Sequence, residues 1–140
     1  MRFQKLEMLS QNEMLRMFDS LRAIRQQVRW KPGKDSVHIE KRRKMQHIPV
    51  SASLSDYEKI IADIVKNDRN MVYLYDFAGT HYYGVRGFVD NVEWLVIIGA
   101  SGVMETAFPP MDIDAYLYRR GFVWVGMIEE VLKWTREAMN

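Results

Sequence analysis

The spacing of apolar residues changes once along this chain, and that change limits the folds open to it. Residues 3–29 place apolar side chains three and four apart without Gly or Pro, which predicts one long helix. Residues 71–108 instead have the composition of consecutive strands joined by short turns. Helices followed by hairpin-linked strands predict an α+β fold: N-terminal helices, an antiparallel sheet of about four strands and a C-terminal helix.

Shorter elements are predicted around this sheet: a basic helix over 35–47, a helix from about Ser55 to Lys66, a helix from about Asp112 to Arg120 and an edge strand over 122–125. The sequence Ser55-Asp56-Tyr57-Glu58 is interpreted as a capping box. A chain of 140 residues fits one domain. Its predicted parts are a long N-terminal helix over 1–30, an α+β core over 35–126 and a C-terminal helix over 127–140.

The composition excludes several kinds of site. The chain has no cysteine, so disulfides, thiol nucleophiles and iron–sulfur clusters are excluded. Its three histidines, at positions 38, 47 and 81, lack the usual metal-ligand spacing, and we predict neither a metal nor any other cofactor. No apolar run is long enough to cross a membrane and no signal-peptide pattern is present, which predicts a cytoplasmic protein.

Positive charge is concentrated in the first third of the chain. Residues 1–47 contain 12 Lys and Arg against 5 Asp and Glu, whereas residues 48–140 contain 8 against 13. Such a basic tract attracts polyanions, although a merely solvated helix face would have the same composition. The candidate nucleic-acid ligands are five residues of this tract and one of the sheet: Arg29, Lys31, Lys34, Arg43, Lys44 and Arg86.

Four residues are candidates for chemistry on a phosphate. His38, Lys41 and Arg42 are three and four positions apart, so a helix places them on one face. Thr106, near the end of a predicted strand, can donate a hydrogen bond to a phosphoryl oxygen. Strand alternation predicts that Glu105 points to the opposite sheet face, so that only one of the two faces a site. The alternative interpretation is that His38 is merely a surface residue of a basic helix. Thr106, likewise, would be present only because threonine favours strands.

The segment His38-x-x-Lys41-Arg42 before a helix, and the strand ending Thr-Ala-Phe-Pro-Pro from Thr106, resemble the barnase–EndoU–colicin–RelE-like superfamily of nucleases. The resemblance is to the small members of phages and polymorphic toxins, and it covers roughly residues 35–126. It implies a metal-independent, toxin-like endoribonuclease, with tRNA among its candidate substrates. His38 would be the general acid or base, Lys41 and Arg42 would stabilise the phosphate charge, and Thr106 would hold a phosphoryl oxygen.

Two departures from that family keep other functions open. The family often has a second basic or histidine residue in a late strand, and residues 122–125 contain none. The last two thirds of the chain are also acidic. The alternatives are therefore a non-catalytic module that binds nucleic acid or protein, and an accessory or immunity-type protein of a phage or mobile element. In the latter, the first helix would contact a protein partner or a second copy.

Overall fold

The computed structural model describes residues 9–138, except for the side chain of residue 138. In chain order its elements are α1 (Gln11–Gln26), β1 (Arg29–Trp30), α2 (Lys34–Lys44), α3 (Leu54–Lys66), β2 (Met71–Phe77), β3 (Thr80–Val89), β4 (Val92–Ile98), β5 (Val103–Phe108), α4 (Ile113–Arg120), β6 (Val123–Met127) and α5 (Ile128–Ala138). A short 3-10 turn, Ala100–Gly102, connects β4 to β5. The predicted α+β class is confirmed.

The strands form one mixed sheet in the order β1-β5-β4-β3-β2-β6. Strands β2 to β5 pair antiparallel as predicted, and β6 adds the expected edge strand beside β2. Strand β1 pairs parallel with β5 at the opposite edge. The prediction of about four antiparallel strands is therefore wrong in detail. A two-residue strand leaves almost no periodic signal, and its pairing is decided by a partner more than 70 residues away.

The first helix is shorter than predicted. It begins after Ser10, whose hydroxyl accepts from the Glu13 amide while the Glu13 carboxylate accepts from the Ser10 amide. It ends at Gln26, where the chain becomes extended and leads into β1. The N-terminal part of the predicted 3–29 helix, residues 3–8, lies outside the described residues. A reciprocal cap of this kind satisfies two amide donors of the first turn and so defines where a helix starts.

The helix α3 also begins earlier than predicted, because Ser53 and Asp56 form its capping box in place of Ser55 and Glu58. The helix α4 agrees with the prediction, with Asp112 as N-cap and Gly121 as C-cap at a φ of 85°. Glycine takes this left-handed conformation without a steric penalty, so it ends helices readily.

The sheet has a core on each face. Helices α1, α3 and α5 cover one face with the larger cluster of buried side chains. On the other face, Ile113 and Leu117 of α4 pack against Tyr73, Leu95 and Phe122. Helix α4 has only eight residues, and part of this second face borders a cavity between α2 and α4.

No described helix has the length and hydropathy that a membrane span requires.

Candidate functional site

The cavity between α2, the sheet and α4 has a volume of about 540 Å³. Its charged lining comprises five cations and one carboxylate: Lys31, Lys34, Lys41, Arg42, Arg120 and Glu105. Aromatic rings from β2, β3, β5 and α4 form much of the remaining wall. A concave site with this excess of positive charge favours an anionic ligand.

All four residues predicted for chemistry line this one cavity: His38, Lys41, Arg42 and Thr106. The first three lie on successive turns of α2, and Thr106 lies on β5. Helical spacing accounts for the first three, whereas the meeting of α2 with β5 is a tertiary contact. The structure therefore brings the predicted group together without itself assigning a reaction to it.

Arg42 is the most unusual charge of the site, because its side chain is buried without a carboxylate. The residue is only 3% exposed, and no ion pair within residues 9–138 includes it. Its Nη1 lies 3.2 Å from Nδ1 of His47, its Nε has no hydrogen-bond partner, and its guanidinium lies 5.5 Å from the centre of the Phe108 ring. Burial lowers the pKa of Arg42, but arginine stays protonated in proteins. A buried cation is costly unless it is paired, so this position indicates an anion site.

His38 lies beside that cation in surroundings that disfavour its protonated form. Its ring stacks on Trp30, with centroids 5.7 Å apart and planes inclined by 27°. Its Nδ1 is buried without a hydrogen-bond partner. Burial lowers the pKa of His38, and the nearby charges of Arg42, Lys41 and Lys34 lower it further, while Glu105 acts in the opposite direction. A neutral imidazole at neutral pH can accept a proton.

Trp30 explains why the short strand β1 matters to the site. Parallel pairing places Trp30 beside Met104 of β5, and its indole Nε1 donates to the Glu58 carboxylate of α3 at 2.9 Å. These two contacts fix the ring on which His38 stacks. Trp30 was not predicted as a site residue, since it follows a helical pattern and no local signal in the sequence distinguishes it.

Glu105 and Thr106 both line the cavity, so the prediction that only one of them can face a site is wrong. The register explains this result, because Ile97 pairs with Thr106 whereas Ile98 pairs with Met104. Glu105 is therefore the extra residue of a β-bulge, which breaks strand alternation and redirects a side chain. Its Oε1 lies 3.2 Å from Nζ of Lys31, an ion pair at the cavity wall.

The predicted nucleic-acid ligands of the basic tract divide into two groups. Lys31 and Lys34 line the cavity, whereas Arg29, Arg43 and Lys44 do not. Arg29 donates to the carbonyl of the turn before β5. Arg43 donates through Nε to a carbonyl before α3 at 3.1 Å and also pairs with a carboxylate of α2. Lys44 is exposed at the end of α2.

Arg86 lies outside the cavity, and its guanidinium is hydrogen-bonded to other side chains of the protein. Its guanidinium donates to Glu93 at 3.0 and 3.2 Å, to Asp114 at 2.8 Å and to the Tyr73 hydroxyl at 3.2 Å. Glu93 lies on the adjacent strand, diagonally across from Arg86, a position from which long side chains interact. The arginine predicted as a phosphate ligand is thus saturated by two carboxylates and a phenol.

Arg120 and Tyr116 of α4 are two further site residues that were not predicted from the sequence. The Arg120 guanidinium lies 4.9 Å from the centre of the Tyr116 ring, and both residues line the cavity. Arginines in the last turn of a helix are ordinarily explained by the helix dipole. The acidic composition of this part of the chain gave no indication that they would meet the basic tract.

Within residues 9–138, no three side chains of the His, Asp or Glu types meet as a group able to hold a metal ion.

No family model, no curated protein and no solved structure is significantly similar to this chain.

Proposed function

We propose that this protein is a metal-independent endoribonuclease whose reaction takes place in the cavity between α2 and α4. The observation that carries the proposal is that Arg42, buried without a carboxylate partner, and His38, whose pKa is lowered, line the same cavity one helical turn apart. The first supplies fixed positive charge for a phosphodiester, and the second supplies a proton acceptor at neutral pH.

The cationic groups would hold the scissile phosphate. Arg42 and Lys41 lie on one face of α2 with His38, and Lys34 lies one turn before them. Thr106 faces them from β5 with a hydroxyl able to donate to a phosphoryl oxygen. Because Arg42 is held by burial and all three cations lie on one helix, little reorganisation is needed when charge grows on the phosphate.

The proposed chemistry uses the substrate's own 2′-hydroxyl as nucleophile. His38 takes the 2′ proton, the 2′-oxygen bonds to phosphorus, and the bond from phosphorus to the 5′-oxygen breaks as that oxygen takes a proton from solvent water. His38 then returns its proton to the solvent. The products are a 2′,3′-cyclic phosphate and a 5′-hydroxyl. The role of Lys41 and Arg42 is to stabilise the extra negative charge of the transition state, which requires no metal ion.

The aromatic wall suits the bases of a single strand. Tyr75 stacks on Phe122 with ring centroids 4.7 Å apart, and Tyr82 lies beside Tyr75 at 6.1 Å. All three rings line the cavity. Unpaired bases stack on such surfaces, whereas bases inside a duplex are not available to them.

The test is cleavage of total tRNA and of a mixed RNA pool in excess EDTA. We expect the wild type to leave cyclic-phosphate ends, and His38→Ala to be slower by about 10²-fold or more, the usual contribution of a general base. His81→Ala is the matched control, because His81 lies outside the cavity. Equal rates for wild type and His38→Ala, or a wild type that never cleaves, would contradict the proposal.

A second candidate is a module that binds RNA without cleaving it. It is favoured by the cavity lining, which contains His38 but no second histidine to protonate the leaving 5′-oxygen. In that case intact RNA is retained at low salt. The logarithm of the binding constant then falls with the logarithm of salt concentration, by roughly 0.7 for each phosphate contacted by the protein.

A further inference from the structure

A second cavity continues the first along α4. It has a volume of about 390 Å³ and lies between the β5–α4 connection and the helix. Phe108, Tyr116 and Arg120 line both cavities. We call this second cavity the α4 groove. Since the two share three lining residues, they adjoin one another at α4.

The α4 groove has free positive charge. Arg119 and Arg120 are exposed in the last turn of α4, and no ion pair in the described part of the chain includes either of them. The carboxylate of the groove, Asp112, accepts from the Ala115 amide at 3.1 Å as the N-cap of α4. The two guanidinium groups are thus free for an external anion, in contrast to Arg86 with its two carboxylates.

Flat and apolar surfaces accompany these charges. The Tyr116 ring is held edge-on by Phe108, with centroids 5.1 Å apart and an interplanar angle of 74°, and Arg120 lies over it. Pro110 and the fully exposed Met111 form the far wall. Rings and guanidinium planes that alternate in this way are the usual platform for the bases and phosphates of a single strand.

We propose that the α4 groove binds the nucleotide adjacent to the scissile phosphate, with its phosphate at Arg119 and Arg120 and its base against the Tyr116 side. This inference rests on the proposed function and extends it. The substrate is then a single-stranded RNA segment that occupies both cavities at once, and an isolated mononucleotide reaches only the first.

The test compares the affinities of ligands of different length. Fluorescence anisotropy is measured with labelled 2′-O-methyl RNA, which lacks the free 2′-hydroxyl and is not cleaved, as a mononucleotide bisphosphate and as a tetranucleotide. We expect the wild type to bind the tetranucleotide at least about tenfold more tightly, because it adds stacking and phosphate contacts. Arg119→Gln is chosen because Arg119 lines the α4 groove but not the first cavity.

Arg119→Gln should weaken tetranucleotide binding several-fold and leave mononucleotide binding unchanged. Arg136→Gln is the matched control, since Arg136 is exposed on α5, which packs on the other face of the sheet. Tetranucleotide binding unchanged by Arg119→Gln, or weakened equally by Arg136→Gln, would overturn the α4 groove as a subsite while leaving the proposed function standing. A wild type that binds neither ligand would overturn both.

Discussion

Two arginines predicted as phosphate ligands, Arg42 and Arg86, have opposite surroundings in the fold. Burial lowers the pKa of Arg86, but hydrogen bonds to Glu93, Asp114 and Tyr73 outweigh it and the pKa is raised. Arg42 has no carboxylate or phenol as hydrogen-bond partner, only the His47 ring, and burial lowers its pKa. Arg86 is therefore part of an ion-pair cluster within the protein. The positive charge of Arg42, by contrast, is not neutralised by a carboxylate and is available to a ligand.

This contrast makes a prediction about stability. Arg42→Met removes a buried charge while keeping most of the side-chain volume, so the free energy of unfolding should stay equal or rise by about 1 kcal/mol. Anion binding should be lost at the same time. Arg86→Met, which leaves Glu93 and the more exposed Asp114 without their cation, should instead lose roughly 1–3 kcal/mol.

Urea unfolding of both variants, together with titration of a phosphate ligand, measures these changes. A larger loss of stability in Arg42→Met than in Arg86→Met would assign Arg42 a structural role and remove the main support for an anion site.

The lowered pKa of His38 predicts how the proposed cleavage reaction should depend on pH. Burial and three neighbouring cations lower its pKa from 6.5, so its neutral, basic form persists below that pH. The rate constant kcat/KM should therefore rise with pH through a pKa below 6.5 and be level near neutrality. Because the folded protein disfavours the protonated ring, stability should also fall as the pH drops below about 6.5, where the unfolded chain binds the proton more readily.

Two neighbours should move this pKa in opposite directions. Glu105 raises the pKa of His38 and Lys34 lowers it. The acid limb of the kcat/KM profile should consequently shift to lower pH in Glu105→Gln and to higher pH in Lys34→Gln. Shifts in the same direction, or a wild-type limb above 6.5, would show that His38 is not the group that titrates.

At the scale of elements, the site depends on the bulge in β5 and on the turn before it. The turn Ala100–Gly102 packs against α1. Gly102 has a φ of 75°, and a Cβ built on it would lie 2.5 Å from the Ser20 carbonyl oxygen. Only glycine allows the turn to approach the helix backbone this closely, and that approach sets the position from which β5 starts.

Substitution at this turn should be far more harmful than at a comparable glycine. Gly33, before α2, also has a positive φ, of 80°, but a Cβ there would meet nothing within 4 Å. Gly33→Ala should cost about 1–2 kcal/mol of unfolding free energy from backbone strain alone. Gly102→Ala should cost a further 1–3 kcal/mol or so, because the backbone of α1 must move. Thermal or urea unfolding measures both, and equal losses would show that α1 yields to the added methyl group.

At the scale of the whole molecule, the basic and acidic parts of the sequence do not form separate basic and acidic regions in the folded protein. Residues 1–47 are basic and residues 48–140 acidic, yet Arg119 and Arg120 from the acidic part line the same pair of adjoining cavities as Lys34 and Lys41. Of the carboxylates of the acidic part, Asp112 instead caps α4 and Glu93 and Asp114 neutralise Arg86, whereas Glu105 pairs with Lys31 at the cavity wall. The local field at the site is therefore more positive than the net charge of +2 indicates.

The sequence by itself determined the features that depend on neighbouring residues. Helical spacing alone predicts that His38, Lys41 and Arg42 share a face, and cap residues alone predict the bounds of α4. The α+β class followed from the same kind of signal, since periodicity reports which side of each element is apolar.

Only the tertiary structure decided which of these residues share the cavity. The parallel pairing of Trp30 with Met104, which brings Trp30 under His38, and the approach of Arg120 to Lys41 each join residues more than 70 positions apart. The bulge that turns Glu105 inward depends on the register between β4 and β5. Such contacts are set by packing and register between whole elements. No window of sequence a few residues wide contains both partners, which is why Arg86 was predicted to bind a ligand and Arg120 was not.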